Sequence, residues 1–232
     1  MKSFLTVAVV ILLASTASAT TMLFDFGNSG QQTIPPENPG WNNVIYPNPD
    51  PAPPLFVVFD SSGAVVPGVT LEVVDQFFIN GPPSQLGTEN PSGDAAAYPV
   101  SATDDYFFGH TGAFAGGPDN PTGAVKLTGL DQNLAYNFTF MSSRVGVNDS
   151  RETAYSVTGA NTDSGVLEAS NNDSEVLRIN GILPDGVRVV QYYEQKTIVE
   201  AAVSTVPDAL LQGIALVALL LASRSSTGRT VN

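Results

Sequence analysis

Between residues 20 and 206 the chain is cut into short β-branched and aromatic runs, spaced roughly ten residues apart. Turn clusters such as Gly159-Ala160-Asn161, Asn171-Asn172-Asp173 and Pro184-Asp185-Gly186 separate them. Runs that short cannot carry an amphipathic helix, and the turn chemistry between them favours reversal of direction. Strands are predicted at 22–26, 55–60, 69–79, 124–127, 135–140, 154–158, 165–169, 176–179, 187–193 and 197–203. The cleanest alternation is Ala135 to Phe140, which aims Tyr136, Phe138 and Phe140 at one core. Prolines 35, 36, 39, 47, 49, 51, 53 and 54 predict an extended, unpaired loop over 33–54. Residues 80–122, dense in glycine, proline and asparagine, predict a second irregular stretch. The fold class is all-β, an antiparallel sandwich of jelly-roll type.

Apolar segments lie at both termini. Lys2, the apolar run Phe4 to Leu13 and Ala17-Ser18-Ala19 have the layout of a signal helix cleaved before Thr20. Its apolar core is too short for the roughly 20 residues that cross a bilayer. At the other end Val206-Pro207-Asp208 precedes the apolar stretch Ala209 to Ala222, and Arg224 and Arg229 follow it. As a helix that stretch covers about 21 Å, short of a hydrocarbon core of roughly 30 Å, so a span there needs bilayer thinning or help from its flanks. The divisions are therefore a signal peptide at 1–19, one folded domain at 20–206 and a hydrophobic sorting or anchor tail at 207–232.

The chain has 9 Lys and Arg against 22 Asp and Glu, for a formal net charge of −13. Such a domain repels nucleic acid phosphates and anionic lipid, so no nucleic acid partner is expected. With no cysteine, stability rests on burial and strand pairing. Catalytic patterns are missing: the one histidine, His110, has no Gly-x-Ser-x-Gly elbow to serve, and no glycine run has the phosphate-loop ending. Paired carboxylates for glycoside hydrolysis are invisible to spacing alone, which leaves a glycoside hydrolase or esterase as the least favoured reading.

Several polar and aromatic groups are candidates for binding. Trp41 beside Asn42 and Asn43 offers a ring to stack on a sugar and amides for its hydroxyls. The same trio equally serves as a rim tryptophan with two turn formers. Tyr106, within Tyr106-Phe107-Phe108, permits the same two readings. Arg144 and Arg151 bracket Asn148-Asp149-Ser150 and provide planar forks for a carboxylate or hydroxylated ligand, or for pairing with Asp149 or Glu152. No cofactor is expected, although Asp25, Asp104 and Asp105 supply the oxygen ligands that a structural Ca²⁺ prefers.

The order turn, apolar run and arginine at the C-terminal end resembles the bacterial PEP-CTERM sorting tail, with Asp208 in place of its glutamate and Ala209 in place of its second proline. Phe24-Asp25-Phe26-Gly27, Trp41-Asn42-Asn43, Gly129 to Phe140, Ser143-Arg144 and Arg151 to Gly159 look like a module of secreted environmental bacteria, similar in layout to galactose-binding-like jelly rolls. The resemblance implies export to the cell envelope or exterior, envelope sorting machinery as a partner, membrane contact only through the tail, and carbohydrate or exopolysaccharide as ligand. The expectation is a non-enzymatic surface module that binds carbohydrate; the alternative is a structural biofilm or matrix protein without a small ligand.

Overall fold

A computed structural model describes residues 20–34, 40–45, 53–79, 86–109, 120–186, 188–192 and 198–204. The signal helix, the C-terminal hydrophobic helix and His110 lie outside them. Within them the fold is all-β. The strands are β1 (Thr21–Gly27), β2 (Trp41–Ile45), β3 (Val58–Phe59), β4 (Val65–Val66), β5 (Thr70–Asp75), β6 (Phe78–Ile79), β7 (Phe107–Phe108), β8 (Thr122–Thr128), β9 (Ala135–Met141), β10 (Glu152–Thr158), β11 (Thr162–Glu168), β12 (Leu177–Ile182), β13 (Arg188–Tyr192) and β14 (Ile198–Ser204). The helical content among the described residues is two 3-10 turns, Gly93–Ala97 and Val100–Ala102.

Two five-stranded sheets dominate the described residues, ordered β12-β9-β14-β1-β2 and β11-β10-β13-β8-β5. Their pairing is nested: β1 pairs with β14, β8 with β13, β9 with β12 and β10 with β11, each antiparallel. β2 is the exception and runs parallel to β1, Leu23 standing opposite Trp41 and Asp25 opposite Asn43. One buried cluster draws on both sheets. Phe24, Phe26, Phe138, Phe140 and Ile179 come from the first and Leu71, Val125, Leu127, Tyr155 and Val157 from the second. The Phe140 and Tyr155 rings stack at 4.5 Å, joining β9 to β10 across that cluster.

Tyr136, Phe138 and Phe140 are buried as their alternation requires. The unpaired loop at 33–54 does not hold throughout, because 41–45 forms β2. A proline blocks pairing only where it stands, and the window from Gly40 to Tyr46 contains none. The run at 69–79 breaks as well. A register shift lies between Val73 and Asp75, and Phe77 turns into the core before β6 begins. Its ring occupies the space over Gly123, where a Cβ would stand 2.2 Å from it.

The β3–β4 hairpin and the residue leading into it bond to a strand of each sheet. Leu55 exchanges backbone hydrogen bonds of 2.8 and 3.0 Å with Leu71 of β5, and Ser61 N–H donates to the Thr21 carbonyl at 2.7 Å. Val58, the inward residue of the hairpin, is fully buried.

Candidate functional site

Alternation along β1 divides its side chains. Phe24 and Phe26 enter the core shared by the sheets, while Leu23 joins a second buried cluster with Trp41, Ala95, Tyr98, Ala102 and Met141. The two 3-10 turns lie over that second cluster as a strap. Backbone bonds from Ser92 N to Asp173 O at 2.6 Å and from Asp94 N to Ser174 O at 3.0 Å fasten it, and an Arg178–Asp94 ion pair at 2.8 Å adds a surface contact.

Trp41 sits beneath this strap, 6% exposed, with Tyr98 edge-on at 6.3 Å. A stacking platform needs an open ring face, and this ring is covered. Its Nε1 finds no hydrogen-bond partner. Asn42 works as a clasp: Nδ2 donates to the carbonyls of Leu23 at 2.9 Å and Phe59 at 2.8 Å, and Oδ1 accepts from Phe59 N–H at 2.9 Å. Asn43 grips Thr33 in the same bidentate way, accepting from its N–H at 2.8 Å and donating to its carbonyl at 3.0 Å. Both amides are thus used in joining chain segments.

The three aspartates meet different fates. Asp25, buried on β1, accepts from Thr33 N–H at 3.1 Å and from its hydroxyl at 3.0 Å, and that hydroxyl also meets Ser101 Oγ at 3.0 Å. Asp105 lies directly over Gly27 and accepts from Asn28 N–H at 2.7 Å; a Cβ on Gly27 would stand 1.7 Å from its Oδ2. Asp104 is buried with its carbonyl held by Gly87 N–H at 3.0 Å. Among the described residues no group of three His, Cys, Asp or Glu side chains gathers as a cation site would require.

Tyr106 and Arg144 do come together. The guanidinium carbon of Arg144 stands 5.9 Å from the centre of the Tyr106 ring, and Phe108 meets that ring edge-on at 5.8 Å. Arg144 is fixed by its backbone, donating to Ala169 O at 2.7 Å and accepting from Asn171 N–H at 2.8 Å. Its Nη1 is shielded from solvent and has no hydrogen-bond partner. Arg151 follows the other course open to it, pairing with Asp149 through Nη2 to Oδ2 at 3.1 Å and Nε to Oδ1 at 3.2 Å. The Arg151 hydrogen bond holds the Asp149 carboxyl below its ordinary range.

Glu168, which spacing did not single out, organises this loop region. It accepts from Arg151 N–H at 2.7 Å, from Ser170 N–H at 2.9 Å and from the Ser150 hydroxyl. Burial works to raise its pKa, but the Ser150 hydroxyl and the two backbone donors outweigh it and bring the carboxyl down to about 2. The sequence carried no signal for this role, because two of the three donors, Arg151 N–H and the Ser150 hydroxyl, come from a loop at least seventeen residues away along the chain.

Set against family models, curated proteins and solved structures, the chain matches none.

Proposed function

We propose that residues 20–206 form a non-catalytic β-sandwich of jelly-roll type, exported and held at the cell envelope, with a structural role in an extracellular matrix. The nested pairing of first strand with last, second with seventh and so inward through β1 and β8–β14 supports the jelly-roll reading. A core drawn from both five-stranded sheets supports the sandwich. The export reading rests on Lys2, the apolar run after it and Ala17-Ser18-Ala19.

One observation carries the structural role: the side chains that suit a ligand are occupied by the fold itself. Trp41 and Tyr106 are buried, Asn42 and Asn43 join chain segments, and Arg151 pairs with Asp149. Carbohydrate binding is the second reading, favoured by the unpartnered Nη1 of Arg144 beside an aromatic ring. That atom is shielded, so a ligand has to displace its cover, which keeps this reading second.

A glycan array with residues 20–232 separates the two. The structural reading expects no signal above background, and Trp41→Ala then costs stability, about 3–5 kcal/mol for a buried tryptophan. A glycan signal lost in Arg144→Gln at unchanged stability would overturn it. Hydrolysis of a polysaccharide panel by the purified protein would remove the non-catalytic assignment.

A further inference from the structure

Apolar side chains left in water concentrate on the β3–β4 hairpin and the residues leading into it. Phe56 is 76% exposed, Val57 51%, Val65 54% and Phe59 36%. Phe59 stands directly opposite Val65, so these two share a face. Residues 53–66 contain one charged group, Asp60, whose carboxylate is engaged by its own turn: it accepts from Ser62 N–H at 2.9 Å, the Ser62 hydroxyl at 2.6 Å and Ala64 N–H at 3.0 Å.

The hairpin also stands where the chain leaves the sheets. Ser61, in its turn, bonds to Thr21, and Thr21 pairs with Ala202, two residues before β14 ends at Ser204. The apolar stretch 209–222 begins five residues after Ser204, a link that reaches at most about 18 Å when extended. That stretch is too short to cross a bilayer without help from its flanks. A greasy, nearly uncharged face at its root supplies such help.

We propose that the apolar patch made by Phe59 and Val65, which share a face, and by the exposed Phe56 and Val57 leading into the hairpin is a membrane-contact surface, seating the folded domain on the lipid that residues 209–222 enter. The proposal rests on reading those residues as membrane-seeking. A chain of net charge −13 selects zwitterionic or uncharged lipid over anionic lipid. The same charge disfavours a second copy as the occupant, since each copy repels the other.

Flotation of residues 20–232 with phosphatidylcholine vesicles tests it, with emission from the buried Trp41 as the check that each variant is folded. Phe56→Ser with Val65→Ser weakens partitioning roughly tenfold, the loss of two partly buried apolar contacts. Leu216→Asp with Leu220→Asp in the tail leaves a weaker binding that still depends on Phe56. In Phe56→Trp the new indole is quenched by brominated lipid when the protein is bound. Wild-type partitioning of the hairpin variant, with binding abolished in the tail variant, overturns the hairpin surface and leaves the tail reading standing. No binding by the unaltered chain removes both. Vesicle-bound protein whose introduced indole is not quenched shows the face covered by the tail or by another copy, and also overturns the proposal.

Discussion

The carboxamide of Asn42 replaces a stretch of strand pairing. Its two ends exchange hydrogen bonds with both backbone groups of Phe59 and add a third to Leu23, so one side chain closes the seam between β2 and β3. Asn42→Ala removes the side-chain partner of both Phe59 backbone groups and of the Leu23 carbonyl, a loss of about 1–3 kcal/mol that urea denaturation will detect. Asn42→Asp keeps the acceptor but loses the donor and buries a charge, so it costs more than alanine. Glu168 gives a pH-dependent counterpart. Its folded pKa of about 2 lies below its ordinary value of 4.5, so its contribution is complete above pH 4.5 and is lost as the pH falls through 2. Protection factors of the Arg151 and Ser170 amides, corrected for intrinsic exchange, are expected to fall as the pH drops through that window, and Glu168→Gln to abolish that pH dependence. At this scale the sequence drew attention to individual residues but carried no record of their partners. Trp41-Asn42-Asn43 has the same spelling whether it faces a sugar or a strap, because the covering segment lies more than fifty residues away.

Strands with apolar residues on one face were readable from periodicity alone, and β9, β10 and β14 lie within about two residues of their predicted positions. β2 was masked by the prolines on either side of it. The hairpin of β3 and β4 was hidden for another reason: Phe56, Val57 and Phe59 make the run 55–60 look like a buried strand, whereas only Val58 is fully interior. A bulge in β12 shows how a local defect is settled by a neighbour. Between Ile179 and Ile182 the register slips, Gly181 adopts φ 73°, and its N–H donates to the Asn137 side chain at 2.9 Å. The turn after β8 is stricter. Gly129 has φ 77°, and a Cβ there would lie 1.8 Å from the Gly68 carbonyl oxygen. Gly129→Ala is therefore expected to cost at least about 1–3 kcal/mol from the backbone conformation alone, with further loss from displacing the Gly68 turn, read as a lower midpoint in thermal unfolding.

Across the whole molecule the nested pairing makes sheet formation depend on residues far apart in the chain. β14 lies between β1 and β9, and it has to be present before either has its full set of neighbours. A chain ending at residue 197 exposes both of those strands at the centre of a sheet, and is expected to lack cooperative unfolding by calorimetry and to expose apolar surface to a reporter dye. The same long-range pairing places folding among the slow topologies, with rates in the millisecond to second range or slower, measurable by stopped-flow fluorescence of Trp41.

For a polypeptide threaded through a membrane with its amino end leading, the place of β14 between β1 and β9 sets an order of events. β1 emerges early and cannot complete its sheet until Ile198–Ser204, near the trailing end, has followed. On the export route proposed above, that order keeps the sheet holding β1 and β9 incomplete until nearly all of the domain has crossed.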